Sequence, residues 1–267
     1  MARATKVLIV AGTDPTGGAG IVRDIETAYH FATPVGLAVT SVNVQDDYGV
    51  AKKMPVTPDI ISGQMLAALH AGHIAAIKVG MTGTVEIVKA ICQVLVQFST
   101  IPVVLDPVIT ASSGGALADA ATVQTIIKDF IKHCYLLTPN LIELAQLTGT
   151  SVSKNHDQSI DQAKKLVARG TKYVLVKGGH EKGEFSTDSL VSSDKVTNFS
   201  VPRLHATMRG TGCLLSTAIA CQIARGEPVE NAVKIAKTYV YQLLKQRKRL
   251  TNKHKSIKLK RPENLHF

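Results

Sequence analysis

The sequence has no tryptophan, and aromatic residues make up only 4% of its 267 residues. Proteins that bind single-stranded nucleic acid or RNA stack bases on aromatic side chains, so this scarcity disfavours a nucleic-acid-binding surface. The four cysteines, Cys92, Cys134, Cys213 and Cys221, form no C-x-x-C pair and have no zinc-ligand spacing with histidine. We therefore expect neither a zinc site nor a disulfide framework, and the cysteine pattern favours a reducing, cytoplasmic setting.

The sequence also lacks a long hydrophobic run. The apolar stretch at residues 7–11 is far shorter than the roughly 18 residues that suggest a membrane span. It leads into a glycine-rich turn without a signal-peptide cleavage pattern. We interpret it as a first buried strand, and we expect no membrane association.

Positive charge is concentrated at one end of the chain. The formal net charge is +11, but nine lysines and arginines lie within residues 245–261 without any Asp or Glu, and subtracting these nine leaves only +2. The body of the protein is therefore nearly neutral, and any attraction of polyanions would depend on residues 245–267 alone. A solvated terminus is the simpler interpretation of this segment, and salt-sensitive polyanion binding is the alternative.

Short β-branched runs alternate with longer stretches of helical period. This pattern is typical of an α/β fold in which a mostly parallel sheet is covered by helices on both faces. Strands are expected at residues 6–11, 37–44, 76–79, 103–106, 135–138 and 173–177, with an antiparallel extension at 189–192 and 197–202. Helices are expected at residues 19–31, 59–71, 85–98, 118–132, 141–147, 159–168, 212–225 and 229–246. No linker divides the pattern, so we expect one domain at residues 1–244 and a basic tail at residues 245–267.

Ligands of such a sheet bind at the carboxyl ends of its strands, and the most informative loop there is residues 208–214, Met-Arg-Gly-Thr-Gly-Cys-Leu. Its glycines, Gly210 and Gly212, let backbone N–H groups approach an anion, and the positive end of the following helix points at the same place. Cys213 in the first turn would feel the same field, which favours its thiolate and suits it to accept a proton from a substrate hydroxyl. The alternative is a helix-start loop with Cys213 buried as packing.

A second glycine-rich loop, residues 11–20, follows the first strand. It has neither the lysine of a P-loop nor the G-x-G-x-x-G of a dinucleotide site. We interpret its glycines as letting a small ligand lie against the backbone, with Asp14 as a hydrogen-bond acceptor. An ordinary tight turn is the alternative.

Charged and polar side chains end three further strands. Lys177 precedes two glycines and could neutralise phosphate oxygens, although a solvated lysine is the simpler interpretation. Asp106, Asn140 and Glu143 offer the oxygen ligands that Mg²⁺ prefers. Asn140 and Glu143 could equally cap and start a helix.

Taken together and in order, these segments resemble the hydroxymethylpyrimidine/phosphomethylpyrimidine kinases of thiamine biosynthesis, in the ribokinase-like superfamily. The resemblance covers about residues 5–240, and it implies a three-layer sandwich. It rests on residues 11–20 with Ile21, Asp24 and Thr27; Gln45 and Gly49-Val50; Lys78-Val79-Gly80-Met81; Asp106-Pro107-Val108; Thr138-Pro139-Asn140-Leu141 with Glu143; residues 176–180 with Asp188; and residues 210–213.

The resemblance implies phosphorylation, dependent on ATP and Mg²⁺, of the 5-hydroxymethyl group of 4-amino-5-hydroxymethyl-2-methylpyrimidine. In many members the resulting monophosphate is phosphorylated again. The substrate-binding residues implied for this chain are Gln45, which would hydrogen-bond the aminopyrimidine edge, and Gly12, Asp14, Ala19 and Met81 around the pocket.

The resemblance also implies where the phosphoryl group is handled. Cys213 takes the place of an aspartate base and would receive the hydroxyl proton. The other residues implied are Gly210, Thr211, Gly212 and Lys177 at the transferring phosphoryl group, Asn140, Lys177, Arg209 and Thr211 at ATP, and Asp106 and Glu143 at Mg²⁺.

Three alternatives accompany this assignment. Pyridoxal kinase shares the fold and a ring-bearing hydroxymethyl substrate, although Gln45 and residues 176–180 favour the pyrimidine. A catalytically weak pyrimidine-binding relative is a second alternative, and a nucleic-acid-associated protein that uses the basic tail is a third. The resemblance suggests a homodimer.

The sequence departs from the family pattern near the expected pocket. Arg209 replaces the usual histidine and adds a permanent cation that could grip a phosphate. Asp46 and Asp47 add negative charge after Gln45, which by Coulomb repulsion would disfavour the monophosphate as a substrate unless Arg209, Lys177 or Mg²⁺ screens them.

Overall fold

The computed structural model describes residues 5–46, 48–110, 115–178 and 183–253. The strands are β1 (Lys6–Ala11), β2 (Val35–Val39), β3 (Ser41–Gln45), β4 (Val50–Pro55), β5 (Ile74–Val79), β6 (Val103–Leu105), β7 (Leu136–Leu137), β8 (Tyr173–Val176), β9 (Phe185–Val191) and β10 (Val196–Pro202). The helices are α1 (Gly20–His30), α2 (Pro58–His70), α3 (Val85–Gln97), α4 (Ala120–Thr125), α5 (Leu141–Thr148), α6 (His156–Val167), α7 (Thr211–Ala224) and α8 (Val229–Lys253). A π-helical turn (Ile126–Phe130) and a 3-10 turn (Ile131–His133) continue α4.

Eight strands form one sheet in the order β10-β9-β8-β7-β6-β5-β1-β2. The strands from β8 to β2 run parallel, and β9 and β10 are antiparallel additions at one edge. The α/β fold with a mostly parallel sheet is therefore confirmed, and so is its antiparallel extension. Because these strands are parallel, the loops after β1, β5, β6, β7 and β8 all lie at the end of the sheet where the strands have their carboxyl ends. This end is called the carboxyl edge below.

Apolar side chains cover both faces of the sheet. Leu8 and Val10 of β1 belong to one buried core with residues of α2 to α6, whereas Val7 and Ile9 belong to a second core with residues of α1, α7 and α8. Successive strand residues point to opposite faces, so this alternation places helices on both sides. The three predicted layers are confirmed.

The prediction of a single strand at residues 37–44 was wrong. The strand is interrupted at Thr40. The N–H of Thr40 donates to the carbonyl of Ala11 at 3.0 Å, and its hydroxyl donates to the carbonyl of Met81 at 2.7 Å. The first part remains in the main sheet as β2, and β3 turns away to pair with β4 in a separate antiparallel ribbon. Strand β4 was not predicted, because its mostly exposed side chains do not alternate between apolar and polar.

The last helix is longer than predicted. It reaches Lys253, so the expected boundary between residues 244 and 245 lies inside α8 and the first part of the basic segment is helical. Residues 254–267 lie outside the described residues, and the division into a domain and a tail stays a prediction. No helix in the described part of the chain has the length and apolar character needed to cross a membrane.

Candidate active site

Two glycine-rich loops pack against each other at the carboxyl end of the sheet. Gly210 is the N-cap residue that precedes α7; it has a φ of +73°, and a Cβ on it would lie 2.5 Å from the carbonyl oxygen of Gly18. Gly20 at the start of α1 has a φ of +59°, and a Cβ there would collide with the carbonyl oxygen of Gly12. Both positions need the left-handed backbone and the small volume that glycine provides.

An ion pair between Asp14 and Arg209 joins these two loops. Arg209 Nη2 lies 2.9 Å from Asp14 Oδ2, and Arg209 Nη1 donates to the hydroxyl of Thr16 at 3.1 Å. The other oxygen of Asp14 accepts hydrogen bonds from the backbone N–H and the hydroxyl of Thr16. Asp14 is only 1% exposed, and both of its carboxylate oxygens make contacts that hold the loop in place. The predicted contacts of Asp14 with substrate and of Arg209 with ATP stay predictions.

The start of α7 faces the charged side chains that the sequence predicted for this edge. No side chain among the described residues caps the helix, and its first turn contains no acidic residue. A Cβ on Gly212 would lie 3.2 Å from both Asp106 Oδ2 and Lys177 Nζ. The backbone N–H groups of this helix start, the Lys177 ammonium and the Asp106 carboxylate therefore meet in one small volume.

Lys177 lies between two buried carboxylates. Its Nζ is 2.8 Å from Asp106 Oδ1 and 3.7 Å from Glu143 Oε2. Burial opposes a charge on Lys177, but the two carboxylates outweigh this effect and raise its pKa. Burial raises the pKa of Glu143 to about 7, and Lys177 opposes that shift while Asp106 adds to it. The interpretation of Lys177 as a solvated lysine is wrong, since its side chain is only 15% exposed.

Asn140 and Glu143 form the helix cap that the sequence also predicted as an alternative to a Mg²⁺ site. The side-chain oxygen of Asn140 accepts the backbone N–H groups of Ile142 and Glu143, and Glu143 Oε2 accepts the N–H of Asn140 at 2.8 Å. This capping box fixes the start of α5. It also holds the Glu143 carboxylate beside Lys177, so the capping interpretation does not exclude a role at the site.

Cys213 lies in the first turn of α7 and is 8% exposed. The expectation that its position favours the thiolate was wrong for the side chain as it stands. Burial raises its pKa to about 11, and the nearby charge of Lys78 and the backbone N–H of Gly20 offset this only in part. Cys213 is therefore a neutral thiol near pH 7, because desolvation outweighs the favourable field.

The expected substrate pocket is built from β1, the ribbon and the loop after β5. A Cβ on Gly12 would lie 3.0 Å from Asn43 Nδ2 and 3.1 Å from Met81 Sδ, so these three residues meet. Gln45 is half-buried at the end of β3, and Ala19 precedes α1.

Asn43 is a pocket residue that the sequence analysis missed. Its amide nitrogen donates to the carbonyl of Thr13 at 2.9 Å, and its side-chain oxygen accepts the hydroxyl of Ser41. The alternation of polar and apolar residues at 41–45 could have revealed that Asn43 and Ser41 share the buried face of a strand. Beside this pocket, a cavity of about 200 Å³ is lined by Lys53, Pro55, Met81, Gly83, Thr84, Leu117 and Asp119.

The extra acidic residues after Gln45 lie at the turn of the ribbon. Asp46 Oδ1 accepts the backbone N–H groups of Tyr48 and Gly49 at 2.8 and 3.0 Å, so its carboxylate stabilises the turn between β3 and β4. Asp47 lies outside the described residues. Residues 179–180, which follow Lys177 and Gly178 in the segment expected to contact phosphate, lie outside them as well.

Comparisons with known proteins agree on one family. The model of the phosphomethylpyrimidine kinase family matches residues 14–258. A hydroxymethylpyrimidine/phosphomethylpyrimidine kinase of Rhizobium meliloti is 35% identical over 244 residues, which cover 91% of this chain and 91% of that protein.

Solved structures give the same fold. The phosphomethylpyrimidine kinase of Clostridium difficile superposes with a TM-score of 0.80 and 30% identity over 90% of this chain and 99% of that one. An ADP complex of Bacillus subtilis pyridoxal kinase gives a TM-score of 0.81 and 28% identity over 88% and 90% of the two chains. The predicted ribokinase-like architecture is confirmed.

Proposed function

The chain belongs to the phosphomethylpyrimidine kinase family, and we propose on this premise that it transfers the γ-phosphoryl group of ATP to 4-amino-5-hydroxymethyl-2-methylpyrimidine in thiamine biosynthesis or salvage. The observation that carries the proposal is the meeting of Gly212, Lys177 and Asp106 beside Cys213 at the carboxyl edge of the sheet. Phosphoryl transfer needs positioned donors and cations around the moving group more than covalent chemistry, and this cluster provides them.

The pyrimidine would lie between the first glycine-rich loop and the ribbon. Gly12 and Ala19 leave room for a flat ring, Met81 packs against it, and the amide of Gln45 pairs with the amino edge of the ring. The support for this placement is the close approach of Gly12, Asn43 and Met81 and the cavity beside them. A small number of fixed polar groups in a mostly apolar pocket is the usual arrangement for small ligands.

The phosphate groups of ATP would face the start of α7. Gly210, Thr211 and Gly212 present backbone N–H groups to the transferring phosphoryl group, and Lys177 supplies the charge that offsets its oxygens. Asn140, whose backbone pairs with that of Lys177, and Arg209, which precedes Gly210, are proposed to contact ATP. Because a side chain on Gly212 would press on Asp106 and Lys177, the glycine keeps the volume open.

Two carboxylates are proposed to hold Mg²⁺. Asp106 and Glu143 are 2% and 5% exposed, and a cation already lies between them in the form of the Lys177 ammonium. Mg²⁺ typically binds to one or two carboxylates together with substrate phosphates and waters, so this donor set fits the ion. When bound with ATP, the ion would offset the negative charge that builds on the phosphates.

Cys213 is proposed to accept the proton of the substrate hydroxyl. The hydroxyl oxygen becomes the nucleophile toward the γ-phosphorus, and the sulfur of Cys213 at the start of α7 takes its proton. The thiol of Cys213 has a pKa of about 11, so only a small thiolate fraction is present near pH 7. Groups that stabilise this thiolate therefore favour the proton transfer.

The monophosphate is proposed as a second substrate. The Asp46 carboxylate is engaged with the backbone of the ribbon turn, and the hydrogen bonds from Tyr48 and Gly49 offset part of its charge. Lys177 and Mg²⁺ are cations that would screen the rest. These contacts support acceptance of the monophosphate despite the negative charge of Asp46.

Pyridoxal is the alternative to the pyrimidine as the acceptor of the phosphoryl group. The Bacillus subtilis pyridoxal kinase covers most of the chain at a TM-score of 0.81, and pyridoxal also carries a hydroxymethyl group on an aromatic ring. The higher identity to pyrimidine kinases and the position of Gln45 favour the pyrimidine. An assay of ADP release with Mg²⁺ and ATP, run with each of the three acceptors, tests the proposal.

The outer face of the ribbon supports a homodimer. Val42, Val44 and Met54 are 54%, 42% and 59% exposed, and they share one side of the two-stranded sheet by register. Apolar residues clustered on a small, otherwise unsupported ribbon favour burial against another surface. We propose that a second copy of the chain covers this face.

A cytoplasmic location is also part of the proposal. The four cysteines are buried free thiols. Unpaired thiols are the ordinary state in a reducing compartment.

A further inference from the structure

A complete ion pair is buried beneath the proposed site. Lys78 of β5 is 0% exposed, and its Nζ lies 2.7 Å from Asp24 Oδ2 of α1. The second oxygen of Asp24 accepts the hydroxyl of Thr217 in α7 at 2.7 Å. Burying two charges costs several kcal/mol that their attraction often fails to repay, so such a pair is weak evidence of a purely stabilising role.

The ammonium of Lys78 lies at the reactive edge of the sheet. Ala76 belongs to the core with α1 and α7, and the alternation along β5 points Lys78 to the same side. A Cβ placed on Gly80, just beyond the end of β5, would lie 2.9 Å from Lys78 Nζ. The side chain therefore runs along the strand toward its carboxyl end and brings its charge to the level of the glycine-rich loops.

The helices on either side relate this pair to Cys213. Thr217 lies four residues after Cys213 on α7, and Asp24 lies four residues after Gly20 on α1. Residues four apart in a helix share a face, so the ion pair lies one turn along from the place where the Gly20 N–H approaches the Cys213 sulfur.

The charged groups that face Cys213 come from four elements. They are Lys78 on β5, Asp24 on α1, Asp106 after β6 and Lys177 after β8. Lys78 lowers the pKa of Cys213 more than any other neighbour, whereas burial, Asp24 and Asp106 raise it. Cys213 and Asp24 in turn help to keep Lys78 charged despite its burial.

We infer that Lys78 is a positioning residue whose buried ammonium, fixed by Asp24 and Thr217, stabilises the Cys213 thiolate that receives the substrate proton. The inference rests on the proposed function, and it adds the group that stabilises the thiolate form of the base. In the step it serves, the hydroxyl proton moves to the Cys213 sulfur and the hydroxyl oxygen bonds to the γ-phosphorus. The bond from that phosphorus to the bridging oxygen of ATP breaks, and ADP leaves. Cys213 then returns its proton to solvent.

Removal of the cation, alone or together with its counter-charge, tests the inference through the pH dependence of kcat. Lys78→Met removes the cation, so the rise of kcat with pH should move up by about one unit, and kcat at pH 7 should fall roughly tenfold. The double variant Lys78→Met/Asp24→Asn removes the whole ion pair, so the rise should again move up but by less, because Lys78 affects the pKa of Cys213 more than Asp24 does. Lys195→Met is the control, because Lys195 is an exposed lysine that pairs with Glu230 of α8 at 3.4 Å, away from the glycine-rich loops. Its profile should not move.

A second measurement does not depend on turnover. The rate of Cys213 alkylation by iodoacetamide is followed by peptide mass spectrometry from pH 7 to 10, because the thiolate is the reacting form. Lys78→Met should slow this reaction roughly tenfold at a given pH, and Lys78→Met/Asp24→Asn should slow it less. Cys92 and Cys221 of the same molecules serve as references that report general opening of the fold.

The outcomes separate the inference from the proposed function. Absence of turnover in the unmodified chain contradicts the function, and the alkylation rates then decide the inference on their own. Equal rates in all variants, or faster alkylation of Cys213 in Lys78→Met, overturn it. If circular dichroism shows that Lys78→Met does not fold, Lys78→Met/Asp24→Asn decides, because it leaves no unpaired buried charge: slower alkylation of Cys213 supports the inference, and an unchanged or faster rate overturns it.

Discussion

Arg209 Nη2 lies 2.9 Å from Asp14 Oδ2, and this ion pair joins two glycine-rich loops that are 195 residues apart in the sequence. Asp14 is buried and Arg209 is about one-fifth exposed. The pair therefore holds the loop after β1 against the start of α7, where Gly18 and Gly210 pack without side chains between them. The two loops therefore form one structural unit, which the proposed substrate pocket and the proposed phosphate site share.

Loss of this ion pair should destabilise the protein. Arg209→Met leaves the buried Asp14 carboxylate without its cation, and the free energy of unfolding in urea should fall by about 2 kcal/mol. Adding Asp14→Asn should recover part of the loss, because the buried charge is then removed. The control is Lys195→Met, since Lys195 pairs with Glu230 at the surface and such pairs contribute about 0–1 kcal/mol. Equal losses in Arg209→Met and Lys195→Met would show that the loops do not depend on the pair.

A side chain at position 212 should damage catalysis more than folding. The Cβ of Gly212→Ala would lie 3.2 Å from Asp106 Oδ2 and Lys177 Nζ, so both groups must shift. Misplacement of reacting groups by a fraction of an ångström to 1 Å costs up to about 100-fold, and we expect kcat to fall 10- to 100-fold. Gly63→Ala is the matched control, because Gly63 lies in α2 with open space around it. It should leave kcat unchanged and slightly stabilise the helix. An unchanged kcat in Gly212→Ala would contradict the placement of the phosphoryl group.

The Mg²⁺ requirement should depend on Glu143. Glu143→Gln keeps an oxygen for the capping box but removes the charge beside Asp106 and Lys177. The Mg²⁺ concentration for half-maximal ADP release should therefore rise by about tenfold or more, in the range found when groups that support a metal site are lost. Glu86→Gln, in the exposed first turn of α3, is the control and should leave the requirement unchanged. If both variants respond to Mg²⁺ like the unmodified chain, Glu143 does not hold the ion.

The exposed face of the ribbon should control assembly. Val44→Glu places a charge among Val42 and Met54, and light scattering after size exclusion should show the mass changing from dimer to monomer. Val96→Glu changes a more exposed apolar residue on α3 and should leave the dimer intact. A monomeric unmodified chain, or a Val44→Glu dimer, would contradict the proposed interface.

Much of the fold could be predicted because its elements are periodic. The apolar spacing of α1, α3 and α7 and the buried run of β1 predicted these elements to within one or two residues. The break at Thr40 could not be predicted, because it depends on hydrogen bonds to Ala11 and Met81 in other parts of the chain. Such tertiary contacts override local preference.

The site was predictable to a similar degree. The motifs placed Asp106, Lys177 and Gly212 at one edge, and the structure brings them together. The state of Cys213 was not predictable, because the helix field could be read from the sequence but the burial that outweighs it could not. The partnership of Lys78 with Asp24 was likewise hidden, since it joins a strand to a helix 54 residues away.

The most direct test of the proposed function measures ADP release with Mg²⁺ and ATP and identifies the product by mass. Hydroxymethylpyrimidine, its monophosphate and pyridoxal are compared, each with the unmodified chain and with Cys213→Ala. We predict that the unmodified chain phosphorylates hydroxymethylpyrimidine and its monophosphate faster than pyridoxal. We also predict that Cys213→Ala lowers kcat by about 100-fold or more while pyrimidine binding persists, because only the proton acceptor is lost. No turnover with any acceptor, or full turnover in Cys213→Ala, would contradict the account.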